Sequence, residues 1–281
     1  MASSSPPVAI KAFFFYVIAP AAARRPPVRI LPEAATARQA MVETSASAVS
    51  QSVTVDAQHE LLVHPEYLQS SSMQGRKDTK WLLDWRLPFT SLFSGMFALT
   101  RIRTGPNNAS GESITISSMR DPLSEVASLT LPEGAAMVLQ SRVLVAVLTP
   151  IDQPLRITRH WRLFSLQAWL TLQLRYVVFH GPALLVVKGT RGIRMEHAGT
   201  GRRIDQAATL GFSAHADYAV ARGETFAAYA WSEQALFSDR FAGENAFYIY
   251  EEIPRAGKRG GVTGRGLEGL TDALLKVFGI A

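Results

Sequence analysis

Six histidines are the residues of this 281-residue chain with the widest chemical range. Imidazole acts as a general base near neutral pH and is the commonest metal ligand in proteins. A metal site inside a β-barrel of the cupin type uses a His-x-His pair, a carboxylate and a later histidine, and no two histidines here have that spacing. His160, His180 and His215 could still meet if their strands are neighbours. A metal-dependent β-roll enzyme is therefore the third of three interpretations.

The other catalytic motifs are incomplete. Residues 211–215 (Gly-Phe-Ser-Ala-His) lack the second glycine of a nucleophile elbow. Residues 257–261 contain a lysine among glycines, but no Ser or Thr follows it as a phosphate-binding loop requires. Cysteine is absent, which excludes thiolate nucleophiles, disulfides and cysteine-based metal centres. The sequence therefore predicts a non-enzymatic protein without a cofactor.

The basic residues of the chain concentrate in residues 156–203, where nine basic side chains accompany one acid, Glu196. Residues 204–254 carry eight acids, so the two segments could pair with each other as neighbouring strands. The alternative is a face that binds anions or RNA, in which an aromatic side chain stacks on a base beside the cations. That face would contain Arg156, Arg159, Trp161, Arg162, Lys188, Arg191 and Arg194. An RNA- or anion-binding protein is the second interpretation.

The residues that position these side chains follow the alternation of β-strands. Apolar residues occur at every second position in several segments, with turn residues between the segments. The apolar run Leu184–Val187 suits a strand buried on both faces. The pattern predicts an all-β, antiparallel roll or sandwich over residues 43–254. The alternating positions include Val53, Val55, Ile114, Ile116, Leu129, Leu131, Leu170, Leu172, Leu174, Tyr176, Phe247 and Ile249.

The two ends of the chain differ from this body. Residues 1–42 are rich in Ala, Pro and Arg and contain one acid. They predict an organelle transit peptide, or else a disordered tail or a start site upstream of the true one at Met41. Deleting them is expected to shift the thermal midpoint by only a few degrees. At the other end, residues 255–266 predict a Gly/Arg linker and residues 267–281 a C-terminal helix.

Membrane contact is expected to be peripheral. No segment reaches the roughly 20 apolar residues that a spanning helix needs. The aromatic run Phe13–Ile18 is the exception within the N-terminal segment, since it could dock as a short strand or lie on a membrane surface.

Three segments resemble a known family. Residues 155–163, 179–189 and 204–213 resemble the altered inheritance of mitochondria protein 24 family, over a region of about residues 110–254. The likeness is carried by apolar positions and by glycines, namely Gly181, Gly189, Gly192 and Gly211. It implies a fold like the tryptophan RNA-binding attenuator protein, with repeated antiparallel β-units and no established catalytic residues. RNA binding does not transfer with a fold.

The first interpretation is a non-enzymatic binding or scaffold protein that resembles this family, whose eukaryotic members are associated with mitochondria and their biogenesis; the resemblance assigns no molecular role. A protein partner or self-association is expected. Its localisation would be mitochondrial or in another organelle in a eukaryote, and cytoplasmic in a bacterium.

Overall fold

The computed structural model describes residues 8–32, 42–71, 75–88, 91, 96–105, 111–140, 143–161, 175–231 and 233–254. Antiparallel strands dominate these residues, which confirms the all-β prediction. The strands are β1 (Glu43–Thr44), β2 (Ser50–Val55), β3 (His59–Val63), β4 (Leu68–Ser70), β5 (Arg76–Leu82), β6 (Phe97–Arg103), β7 (Glu112–Ser117), β8 (Ser124–Leu131), β9 (Ala136–Leu139), β10 (Leu144–Pro150), β11 (Arg156–Trp161), β12 (Arg175–His180), β13 (Ala183–Thr190), β14 (Ile193–Asp205), β15 (Thr209–Ser213), β16 (Asp217–Arg222) and β17 (Phe237–Glu251). The helical elements are α1 (Val8–Phe13), a π-helical turn (Phe14–Ile18), α2 (Ala19–Ala23), a 3₁₀ turn (Pro65–Tyr67) and α3 (Phe226–Ala230).

The strands form three sheets. The first sheet has the order β1-β8-β13-β10-β3-β6-β5, and the third is the small sheet β2-β7-β4. The second sheet has the order β11-β12-β9-β15-β17-β14, with β16 pairing with β17. The central core, which includes Leu129, Leu185 and Ile249, joins residues of the first and second sheets. A lateral core around Val53, Ile114 and other residues joins the first and third sheets.

Strand β13 confirms the prediction of burial on both faces. Leu185 and Val187 belong to the central core, whereas Val186 between them belongs to the lateral core. β8 and β10 flank β13 on its two edges, so its backbone is paired on both sides. An uninterrupted apolar run is what such an environment requires.

Part of the predicted alternation falls on residues that the structure does not describe. Leu170, Leu172 and Leu174 are among them, as are the predicted linker 255–266 and the predicted helix 267–281. Tyr176, the next position of the same alternation, is 5% exposed and lies in β12.

The N-terminal segment differs from the expected disordered tail over the residues described. Residues 8–23 form a continuous helical segment, and residues 24–32 follow it along the body. Phe15, Ala19 and Ala22 are buried in the outer core, which also contains Phe212, Tyr218 and other residues of the second sheet. Val28 pairs with Tyr218 through two backbone hydrogen bonds of 2.7 and 3.0 Å. Burial on this sheet offsets the conformational entropy that the composition alone would leave uncompensated.

Two of the glycines that carry the family resemblance lie where a side chain does not fit. A Cβ on Gly211 would be 2.4 Å from the carbonyl oxygen of Val138 on β9. A Cβ on Gly181 would be 2.1 Å from the carbonyl oxygen of Pro132. Both obstacles are backbone atoms, which cannot rotate away as a flexible side chain can.

Gly211→Ala is therefore expected to destabilise the protein by about 1–3 kcal/mol, because β15 must move away from β9 to make room for the methyl group. Denaturant unfolding measures this difference. Gly105→Ala is the matched control, since no atom lies within 4 Å of a Cβ at that position. Equal midpoints for the two variants would contradict the close contact of β15 with β9.

Candidate functional site

Strand β11 carries three of the residues predicted for an anion- or RNA-binding face. It forms one edge of the second sheet and pairs only with β12 among the described strands. Arg156, Arg159 and Trp161 are all exposed on it. Because strand side chains alternate, Arg156 lies on one face and Arg159 with Trp161 on the other. The indole of Trp161 lies 5.7 Å from the guanidinium carbon of Arg175 on β12, in a cation–π contact.

The other predicted members lie elsewhere. Lys188 is on β13 of the first sheet, where its ammonium donates to the Tyr67 hydroxyl over 2.6 Å. Arg191 is in the turn after β13, and Arg194 on β14 forms an ion pair with Glu252. Arg162 lies outside the described residues. The segment therefore does not form one continuous basic face among these members, because its strands belong to two sheets.

A different set of side chains does come together, on the opposite face of β11 from Trp161. In the register of β11 with β12, Arg156 is opposite His180, and His160 is opposite Tyr176. The hydroxyl of Thr158 lies 2.9 Å from Nε2 of His180 and 3.4 Å from Nε2 of His160. One hydroxyl thus connects two imidazoles that are 20 residues apart in the chain.

His215 joins this set from the loop after β15. The preceding residue, Ala214, donates its backbone N–H to Ala136 on β9, and Ala136 is the register partner of His180. Nδ1 of His215 lies 3.1 Å from the carbonyl oxygen of Pro32 in the N-terminal segment. We call Arg156, Thr158, His160, His180 and His215 the histidine cluster.

Arg156 gives the histidine cluster one fixed positive charge. Burial lowers the pKa of His180, and the neighbouring charges of Arg156, His160 and His215 lower it further. Nε2 of His215 is buried and has no hydrogen-bond partner among the described residues. The cluster therefore combines a fixed cation, titratable nitrogens and an unused nitrogen.

Two histidines of the metal interpretation, His160 and His215, each lie near the third, His180, which their sequence separation did not reveal. Nε2 of His160 and Nε2 of His180 both face the Thr158 hydroxyl. Within the described parts of the chain, no group of three or more His, Asp or Glu side chains has an arrangement that could hold a metal ion.

The helical segment 8–23 provides a second candidate surface. Its inner face includes Phe15, whose ring lies 5.6 Å from that of Phe226 and 6.0 Å from that of Tyr229. Lys11 on the same face is 3% exposed and its ammonium donates to the carbonyl oxygen of Ala230. The segment is therefore attached to α3 as well as to the second sheet.

Its outer face is uncharged. Phe13, Tyr16 and Val17 are exposed by 53%, 59% and 51%. Wholly apolar or aromatic side chains on the exposed side of a helix are unusual in a monomeric protein and indicate a contact surface. We call the exposed residues Val8, Ala9, Phe13, Tyr16, Val17 and Ala21 the helical face.

Charged and aromatic groups adjoin the helical face. Arg24 and Arg25 follow α2 directly, are exposed, and have no ion-pair partner in the described parts of the chain. Trp231, which follows α3, is 73% exposed. The rings of Tyr16 and Phe226 have centroids 5.3 Å apart, and this contact connects the helical segment with α3.

Glu196 and two tyrosines form a further polar group, whose role is structural. The carboxylate of Glu196 on β14 accepts hydrogen bonds from the hydroxyls of Tyr248 and Tyr250 on β17, over 2.6 and 2.7 Å. These bonds lower the pKa of Glu196. Burial and the same carboxylate raise the pKa of Tyr248. A carboxylate whose two oxygens are both occupied holds β14 to β17 rather than acting on a ligand.

Comparison with known proteins identifies no family. No family model matches the chain, and no curated protein matches it. Among solved structures, the crystal structure of protein SPYM3_0169 from Streptococcus pyogenes is similar, with 10% sequence identity and a TM-score of 0.48. The alignment covers 83% of this chain and 98% of that chain. A likeness at this level carries over neither fold nor function.

Proposed function

We propose that this protein is a non-enzymatic scaffold that attaches peripherally to an anionic membrane surface through the helical face. The observation that carries the proposal is that the helical segment, residues 8–23, is buried on one side and exposes apolar side chains on the other. The inner side, with Phe15 and Ala19, is buried in the outer core. The outer side exposes Phe13, Tyr16 and Val17. Clustered apolar and aromatic side chains on an exposed surface indicate a contact site, and none of the described residues covers this side of the helical segment.

The composition of the helical face favours lipid as that cover. Aromatic side chains such as Tyr and Trp are enriched at the membrane–water interface, where an apolar body and a polar tip are both accommodated. Tyr16 on the helical face and Trp231 after α3 are exposed side chains of this kind, and Phe13 adds an exposed apolar ring. Interfacial helices insert an apolar face in this way and need no membrane-spanning length.

The charges near the helical face favour an anionic lipid surface. Residues 8–32 contain four cations and no acid. Lys11 and Arg29 are engaged with the body, the latter in a bidentate ion pair with Asp217. Arg24 and Arg25 remain exposed at the end of the segment. Each basic residue near an anionic bilayer contributes about 1 kcal/mol to attachment.

No helix in the described parts of the chain has the length and apolar character needed to cross a bilayer. The proposed contact does not require one, because the segment would lie in the plane of the interface.

Vesicle flotation tests the proposal. The protein is expected to float with vesicles of phosphatidylcholine and phosphatidylglycerol, and less with phosphatidylcholine alone, since the electrostatic contribution needs anionic lipid. The variant F13S/Y16S/V17S is expected to lose at least about tenfold in vesicle affinity, because burial of its apolar area is removed. Trp81→Ser is the matched control, since Trp81 is 67% exposed but lies on β5 of the first sheet.

Light scattering separates lipid binding from self-association. If the wild type is a dimer in solution, the F13S/Y16S/V17S variant is a monomer and neither of the two binds vesicles, a second copy of the chain covers the helical face. Circular dichroism with an unchanged thermal midpoint would establish that the variant is folded.

Membership of the altered inheritance of mitochondria protein 24 family, and with it an organelle location in a eukaryote, remains a proposal. The tight backbone surroundings of Gly181 and Gly211 support it, because those glycines are part of the resemblance. The absence of catalytic activity is likewise proposed, on the incomplete motifs of the sequence.

A further inference from the structure

We propose that the histidine cluster is a binding site for a small oxyanion, such as a phosphate or carboxylate group, and that binding is coupled to proton uptake. The site is independent of the membrane proposal and rests on other residues. Arg156 is an exposed guanidinium, and no described residue forms an ion pair with it. Guanidinium and imidazolium groups are the side chains that bind oxyanions with charge-assisted hydrogen bonds.

The backbone register places the donors side by side. Arg156 and His180 are cross-strand partners, so their side chains share one face with neighbouring Cβ atoms. Thr158 is two residues along β11 on the same face, and its hydroxyl reaches both His180 and His160. Thr158, His160 and His180 are partly exposed, so a small ion can reach them.

His215 supplies a nitrogen directed to no described partner. Its Nδ1 is in hydrogen-bond contact with the carbonyl oxygen of Pro32, and a carbonyl only accepts, so Nδ1 carries the proton. In the neutral ring Nε2 then carries a lone pair, and this buried atom has no hydrogen-bond partner in the described parts of the chain. A proton taken up at Nε2 gives a second donor, which an anion bound beside it satisfies.

The surrounding charges make proton uptake and anion binding depend on each other. Arg156 and His160 face His180 from β11, and His215 acts on it from the loop after β15. The carboxylate nearest to His215 in sequence is that of Asp217, which accepts two hydrogen bonds of 3.0 Å from Arg29. Burial and, to a smaller extent, the nearby cations lower the pKa of His180. An anion among these groups offsets the repulsion by the cations, so each bound proton strengthens anion binding and each bound anion strengthens proton binding.

A cation is disfavoured by the same geometry. Nε2 of His160 and Nε2 of His180 both face the Thr158 hydroxyl, which already occupies the point where a metal ion bound by both nitrogens would lie. Arg156 beside His180 would repel a metal ion.

Sulfate is the probe for the test, because its charge stays constant between pH 5.5 and 8. Histidine NMR titration of the full chain is expected to show saturable sulfate binding that raises the pKa of His180. Affinity is expected to be at least about tenfold higher at pH 5.5 than at pH 8, as linked protonation requires. Arg156→Gln is expected to weaken binding about tenfold by removing the fixed charge. Arg203→Gln, an exposed arginine on β14 at the opposite edge of the same sheet, is the matched control.

Two outcomes would overturn the proposal. Equal sulfate effects in the Arg156 and Arg203 variants would show general charge screening. Saturable binding of Zn²⁺ together with no response to sulfate would show that the ligand is a cation.

A vesicle arm identifies the source of the oxyanion. If Arg156→Gln weakens binding to phosphatidylglycerol vesicles as well as to sulfate, the cluster binds a lipid phosphate. If vesicle binding is unchanged while sulfate and inorganic phosphate binding fall, the ligand is a soluble anion.

Discussion

Phe15→Ala is expected to lower the free energy of unfolding by about 3–5 kcal/mol, the cost of removing a buried aromatic ring. Phe15 is 2% exposed and anchors the helical segment to the outer core. Its ring contacts those of Phe226 and Tyr229, and the guanidinium carbon of Arg222 lies 4.6 Å from its centroid. Alanine would leave a cavity between the segment and α3, and the segment has few other large side chains on its inner face.

Phe13→Ala provides the control, because the ring of Phe13 is 53% exposed on the outer face of the same helix. Urea unfolding of the two variants is expected to separate them clearly, with a change within about 0.5 kcal/mol for the exposed position. Similar, small effects at both positions would favour the disordered tail that the composition of residues 1–42 predicts.

The periodicity of the sequence predicts the strands because the alternation of apolar and polar residues within a strand indicates which of its faces is buried. Val53 and Val55 are buried and their polar neighbours are not, as the alternation requires. Phe247 and Ile249 lie in the central core, while Tyr248 between them lies in the outer core. The sequence left open which face of β17 is buried. In the structure both faces are buried, because the second sheet lies between the central core and the outer core.

The docking of the N-terminal segment could not be predicted in the same way. Its partners lie about 200 residues away in the chain, so no local pattern reports them. Arg29, for example, pairs with Asp217. An Arg-rich segment with a single acid is typical of a leader. Pro20 within it is tolerated because it lies in the first turn of α2.

The histidine cluster shows the corresponding limit for the candidate site. The histidines are visible in the sequence, but their meeting depends on the register of β11 with β12 and on the position of β9 between β12 and β15. Thr158, which connects two of them, has no feature in the sequence that marks it. The basic segment, by contrast, is obvious in the sequence but is divided between two sheets.

Asp239 is a buried carboxyl on β17 whose ionisation is opposed by its surroundings. It is 1% exposed and accepts a hydrogen bond of 2.9 Å from the hydroxyl of Tyr218. Burial raises its pKa from 3.8 to about 6, with a smaller contribution from the charge of Asp205, and the hydrogen bonds of Tyr218 and Thr209 only partly offset these effects. The folded protein therefore binds this proton more tightly than the unfolded chain does.

The sign of the pH dependence follows from that difference. Between about pH 3.8 and 6 the unfolded chain loses this proton while the folded protein keeps it, so stability falls as the pH rises. Above pH 6 the cost of the buried charge is constant, at about 3 kcal/mol for a pKa difference of about two units. Asp239→Asn removes the charge and keeps an oxygen that can accept from Tyr218.

The Asp239→Asn variant is therefore expected to be more stable than the wild type at pH 7.5, by up to about 3 kcal/mol, and no more stable at pH 4. Chemical denaturation at pH 4, 5, 6 and 7.5 measures how the difference grows and then levels off. Asp152→Asn is the control, because Asp152 is exposed and its substitution leaves the interior unchanged. A difference between wild type and Asp239→Asn that is the same at every pH would mean that Asp239 ionises as readily in the folded protein as in the unfolded chain, and that water reaches this part of the outer core.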